Sequence, residues 1–312
     1  MTPELMERLR FAMSETLFER LSATLPGVRF LAMEPMAKHT SFRIGGPAEV
    51  LACPNCERDL SAVLRLCRQE KIPFRILGGG TNILAPDEGI AGIVVLTKGL
   101  DRIRAVSDTE IEAGCGAGLA RLANFAQRRG LTGLEFAHGI PGTVGGGMYM
   151  NAGAYGGEMV QTAVSARLLR PDGEIETVCG ADMGLSYRHS AFMEREGVIL
   201  SARFRLTPGD PEMILARMKE LSEKRRASQP LELPSAGSTF KRPVGGYAAA
   251  LIQNAGLKGF RVGDAAVSEK HSGFVVNLGH ATSADVLELI AQVRERVKAN
   301  SGIELEPEVR IW

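Results

Sequence analysis

Apolar positions recur at three- and four-residue spacing through 57–70, where Leu60, Val63, Leu64 and Cys67 share one face; that period predicts an amphipathic helix. The short apolar runs 72–77 and 93–96 read as strands, and 110–114 as another. Helical spacing returns over 119–129 and stops at Gly130, a residue suited to the turn after a helix end. Around Pro208-Gly209-Asp210-Pro211 the character changes: a charged helix is predicted over 212–226, then an extended stretch over 229–234. The remainder predicts a helix over 247–254, a strand over 274–278 and an amphipathic helix over 284–298, with Ser283 as its cap and Gly302 past its end. The alternation points to α+β or α/β subdomains with a domain boundary near residue 209. No internal repeat or low-complexity tail interrupts it.

With 312 residues the chain can fill two or three cores. A 45% apolar content and a formal net charge of +1 describe a soluble globular protein without the basic excess of a nucleic-acid binder. The first residues mix acids and bases at helical spacing and lack the apolar core of a secretory signal. No uncharged apolar stretch is long enough for a membrane span, so a cytoplasmic location is expected. The five cysteines are unevenly spaced, with one isolated Cys53-Pro54-Asn55-Cys56 pair, and the five histidines are scattered, which disfavours a metal enzyme.

Glycine changes the picture. Nine of the residues from Gly133 to Gly157 are glycine, where ordinary usage predicts about two. Each glycine costs backbone entropy on folding, so such a run persists where side chains would obstruct. Backbone amides without Cβ atoms can approach an anionic ligand and donate to its phosphates. Similar turns occur at Gly78-Gly79-Gly80-Thr81-Asn82 and at Gly114-Cys115-Gly116-Ala117-Gly118. Tight packing explains any one of them alone; together they suggest a dinucleotide held by main chain. No G-x-G-x-x-G spacing and no Gly-Lys pair occur, which removes the usual nicotinamide and ATPase loops and leaves a flavin dinucleotide as the better fit.

Six ordered motifs resemble the UDP-N-acetylenolpyruvoylglucosamine reductase family. They are TSFRIGG at 40–46, LGGGTNIL at 77–84, GIPGTVGGGMYMNAGAYGGE at 139–158, SYRHSAF at 186–192, RRASQPLELPSAGSTFKRP at 225–243 and LEPEVRIW at the end. The resemblance implies an α+β fold: a two-subdomain FAD-binding region of the vanillyl-alcohol oxidase-like type over 43–208, after a lead-in over 1–42, and a substrate domain over 209–312. It implies non-covalent FAD contacts at Arg43, Gly78, Gly79, Gly80, Thr81, Asn82, Gly114, Pro141, Gly142, Gly145, Gly146 and Asn151. NADPH is the implied reductant and a UDP-sugar enolpyruvyl ether the substrate, with no nucleic-acid or membrane partner and a monomer or weak oligomer. Arg188 matches the family's arginine facing the substrate carboxylate, Ser238 its proton donor and Glu308 its paired glutamate. Tyr187, Arg225 and Lys241 are the implied substrate-binding residues. The segment between Ser190 and Val198 is too short for the family's tyrosine-bearing capping loop, so the chain resembles the compact subclass. An oxidase or dehydrogenase of the same flavin fold, acting on another small hydroxylated substrate, is the alternative.

Overall fold

The residues of the 57–70 pattern form the helix Glu57–Gln69, with Leu60, Val63, Leu64 and Cys67 buried as their spacing requires. The computed structural model describes residues 3–312, with side chains from Ser14 onward, and divides into two compact units. The first holds the chain up to Glu34, then Glu49–Gly79 and Ala91–Lys224; the second holds Pro35–Ala48, Gly80–Ile90 and Arg225–Trp312.

The two larger sheets of the first unit frame it. One has four strands in the order Arg29–Pro35, Pro47–Cys53, Ile90–Leu96, Phe74–Leu77, the last two parallel. Phe74–Leu77 starts later than its apolar run because Pro73 has no N–H to offer a ladder; the Pro73 carbonyl accepts from Ile93 N at 2.9 Å. The other sheet is antiparallel, with five strands in the order Ile175–Cys179, Ala163–Leu169, Val198–Arg205, Glu110–Gly114, Ile103–Ala105. Helix Leu119–Arg128 buries Leu119, Leu122, Ala123 and Ala126. It is closed, as the sequence predicts, by Gly130 at φ +65°.

The expected boundary near residue 209 falls inside this unit. Helix Pro211–Ser228 buries Ile214, Met218 and Leu221, the first two within the unit's apolar cluster, and the division comes at Lys224 and Arg225. Two earlier stretches also belong to the second unit, so the expected segments 1–42, 43–208 and 209–312 are not the compact bodies. A reading that runs along the chain cannot see such excursions, because the partners that claim them lie far away in sequence.

The second unit carries an antiparallel sheet in the order Ser235–Ser238, Phe274–Asn277, Ala265–Val267, Arg261–Val262. Helix Ser283–Ser301 turns Val286, Leu289, Ile290, Val293 and Val297 into a core with Phe42, Leu84, Phe240 and Leu305. Its cap is Thr282 and not the expected Ser283. The Thr282 hydroxyl accepts from Asp285 N at 3.0 Å while the Asp285 carboxylate accepts from Thr282 N at 2.9 Å. The Asp87 carboxylate takes the next two donors, Ser283 N at 2.8 Å and Ala284 N at 3.0 Å. Two carboxylates at a helix N-terminus meet the positive end of its dipole. The helix ends, as predicted, at Gly302 with φ +73°. Last, Arg310–Ile311 pairs in parallel with Ile83–Leu84.

Candidate active site

In the first unit the glycine turns pack against each other. A Cβ on Gly78 would lie 2.5 Å from the Thr143 hydroxyl oxygen, one on Gly145 2.9 Å from the Cys115 Cβ, and one on Gly114 2.2 Å from the Leu100 carbonyl oxygen. Close packing therefore accounts for these three glycines: against a side chain at Gly78, against both side chain and backbone of Cys115 at Gly145, and against backbone at Gly114. Gly146 differs, since its nearest neighbour would be at an ordinary 3.6 Å. Gly142, after Pro141, sits at φ +133° and its carbonyl accepts from Leu119 N at 3.1 Å. The Thr143 hydroxyl also caps the short helix Val144–Met150.

Along the turn 78–82 the N–H groups of Gly78, Gly79, Gly80 and Asn82 donate to no acceptor among the described residues. Gly80 is buried and held at φ +67°. A buried N–H without a partner is rare in folded proteins, and consecutive unpaired amides in a glycine turn form an anion-binding concavity. The turn thus fits a phosphate-bearing cofactor on its own chemistry.

Arg188 lies in a tight hairpin closed by Ser186 N to His189 O and His189 N to Ser186 O, both 3.1 Å. Its φ of +53° is left-handed, at a cost of about 1–2 kcal/mol for a residue with a Cβ. Two bonds to the end of the glycine helix hold the turn there: the Ser190 hydroxyl donates to Tyr149 O at 2.7 Å and the Asn151 amide to Ser186 O at 3.0 Å. The guanidinium of Arg188 stacks on the half-exposed Tyr187 ring, 5.1 Å from its centroid. Asn151 itself is fully buried, and its amide group also bonds Glu158 and Val160 N. Its side chain therefore orients the arginine turn, while its N–H closes the glycine helix on Gly147 O and Met148 O.

In the second unit Ser238 ends its strand after Gly237, which has φ +77° and no atom within 4 Å of where a Cβ would stand, so conformation alone demands glycine there. The register shifts between Ser235 and Ser238. Glu308 N donates to Thr239 O at 2.7 Å, so the structure brings Ser238 and Glu308 onto adjoining backbone. Lys241 N donates to Glu306 O, and the Lys241 ammonium pairs with the Glu306 carboxylate. Arg43, exposed at φ +56°, and Thr81, half-buried, belong to this unit as well. Arg225, in the last turn of its helix, donates to the Gln229 side chain at 2.7 Å.

Two residues without a predicted catalytic part organise this unit. The Ser41 hydroxyl donates to Ser235 O at 2.6 Å, and Ser41 N to Gly80 O at 2.9 Å. The Asn82 amide donates to Glu308 O at 3.1 Å. Both lie inside sequence motifs, but their partners are too distant in sequence for spacing to reveal.

The buried thiols are quiet. Burial pushes Cys115 up to about 12 and Cys67 up to about 11. Among the described residues no cluster of His, Cys, Asp or Glu could hold a metal, and no helix is long and apolar enough to cross a membrane.

Comparison with known proteins fits this arrangement. Residues 48–178 match an FAD binding domain family, and residues 229–312 match the C-terminal domain of UDP-N-acetylenolpyruvoylglucosamine reductase. The reductase of Caldanaerobacter subterraneus is 48% identical, covering 96% of this chain and 99% of its own length. That of Streptococcus pneumoniae strain 70585 is 45% identical, covering 94% and 97%. A crystal structure of the Thermus caldophilus reductase superposes with a TM-score of 0.77 at 35% identity, over 91% of this chain and 98% of that one. The expected α+β flavin fold with its C-terminal domain is therefore found, and the chain is an FAD-binding oxidoreductase belonging to the UDP-N-acetylenolpyruvoylglucosamine reductase family.

Proposed function

We propose that this chain reduces the enolpyruvyl ether of UDP-N-acetylglucosamine to UDP-N-acetylmuramate, with NADPH as reductant, in the cytoplasm and on the route to peptidoglycan. When bound, FAD would supply the two-electron chemistry that carries a hydride from NADPH to the vinyl group. The unpaired N–H groups of the turn 78–82 would hold its phosphates, supported by the main chain at Pro141, Gly142, Gly145 and Gly146.

Hydride addition at the terminal vinyl carbon places negative charge on the substrate's carboxylate oxygens. Arg188 faces that carboxylate; its planar guanidinium donates to both oxygens and keeps its charge at any working pH. Ser238 gives its hydroxyl proton to the carbon beside the carboxylate. A serine is a weak acid, but an enolate carbon is basic enough to take the proton, and a weak acid keeps it until then. Glu308 acts protonated or shares a proton at that carboxylate, since two facing carboxylates would repel. Tyr187, Arg225 and Lys241 bind the nucleotide sugar.

The observation that supports this reading is the Glu308 N to Thr239 O bond, which draws the backbone bearing the glutamate against the strand end that carries Ser238. Anaerobic stopped-flow spectroscopy tests it. NADPH should bleach the flavin band of the yellow protein, and the enolpyruvyl ether should restore it. A reduced, folded enzyme that the ether cannot reoxidise would refute the assignment.

A further inference from the structure

We infer that Asn82 is the positioning residue of the Glu308 carboxyl, its side-chain amide standing in for its own main chain in the last rung of a ladder. This rests on the function proposed above for Glu308. The parallel pairing of 83–84 with 310–311 runs through Arg310 N to Asn82 O at 3.0 Å and Trp312 N to Leu84 O at 3.1 Å. Two residues on, the repeat of a parallel ladder would bring Asn82 N onto Glu308 O. That bond is not made. The Asn82 side-chain nitrogen takes the carbonyl instead, at 3.1 Å.

The substitution has two effects at once. The Glu308 backbone is fixed on both sides, its N–H by Thr239 O and its C=O by Asn82, so the point from which its side chain departs is set. The Asn82 N–H, relieved of the rung, remains among the unpaired amides of the glycine turn. One side chain thus ties the anion-binding turn to the carboxyl. Aspartate has the same shape but, when ionised, presents an acceptor to an acceptor. Alanine lets the Asn82 N–H fall onto the Glu308 carbonyl and shift the strand.

The experiment uses the flavin-saturated full chain with Asn82→Asp, Asn82→Ala and Asn82→Gln, read in three ways. Bleaching by NADPH should fall less than reoxidation does for Asp and Gln, because these variants keep the main-chain N–H at position 82. Reoxidation by the enolpyruvyl ether should fall about 10–100-fold for Asp and Ala, in kcat more than in KM, as expected for a displaced reacting group. Gln, which keeps the donor, should recover part of it. The Asp deficit should narrow as pH drops toward about 4, where a protonated carboxyl can donate. Hydrogen exchange at Glu308 and Arg310 should quicken in the Asp and Ala variants. Equal losses in both half-reactions, or unchanged reoxidation and exchange, would overturn the inference. If the parent enzyme is bleached but not reoxidised, the reductase reading fails while the exchange data still decide whether Asn82 holds Glu308.

Discussion

Gly78→Ala is the sharpest probe of the packed glycine turns. Its Cβ would sit 2.5 Å from the Thr143 hydroxyl oxygen, with the two Thr143 side-chain carbons behind it at 3.8 and 4.0 Å. The overlap is therefore with one atom. That atom cannot swing away freely: Thr143 is buried, and its branched Cβ restricts rotation. It also accepts the Gly146 N–H at the start of the glycine helix. Overpacking of this kind costs about 2–3 kcal/mol. Thr143→Ala alone should cost about 1 kcal/mol, the value of a helix cap. Because Thr143→Ala removes the clashing atom, the double variant should be about 1–2 kcal/mol more stable than the sum of the two losses. Urea unfolding of the four proteins, with and without saturating FAD, measures the cycle. Strict additivity, or a Gly78→Ala variant as stable as its parent, would show that the close approach of these turns is not what glycine serves at 78.

At Gly237 there is no clash, only φ +77°; Gly237→Ala should cost about 1 kcal/mol while Gly237→Asn, which tolerates left-handed backbone, costs less, as thermal melts will register. Asp87→Ala strips both acceptors from the first turn of Ser283–Ser301 and should destabilise the second unit by about 1–2 kcal/mol, seen as a lower urea midpoint. Arg188→Lys should leave NADPH bleaching intact but slow reoxidation by the ether at least tenfold, because a point charge replaces a two-pronged donor. Raised thiol values favour the protonated form in the fold, so this part of the stability is intact below pH 9.0 and is lost as pH climbs toward about 11 for Cys67 and about 12 for Cys115. Unfolding midpoints should therefore decline above pH 9, and a Cys67→Ala, Cys115→Ala pair should flatten that decline.

Local chemistry makes much of the fold legible. Leu60, Val63, Leu64 and Cys67 declare a helical face, and Gly130 and Gly302 end helices because few other residues accept positive φ. Ser283 is a near miss: either hydroxyl could cap, and Asp285 decides for Thr282 by completing a reciprocal pair. Glycine density points to main-chain recognition, yet it does not separate Gly78, which makes room for the Thr143 side chain, from Gly80, which admits the backbone of His39 and has a buried N–H with no acceptor among the described residues. Arg188, Ser238 and Glu308 are legible only through motif likeness. The Asn82 bond to Glu308 links residues 226 positions apart, beyond any local period.

That separation governs how the polypeptide is born. At about 5–20 residues per second, ribosomal synthesis spends roughly 10–45 s between Ile83 and its pairing mate Arg310. For that interval the short excursions 35–48 and 80–90 wait without the companions that complete their body, while most of the other body already has its strands. Maturation of the second body thus waits on the segment around Arg310, and a nascent chain stalled shortly before it should carry a nearly finished first body and an unsealed second one.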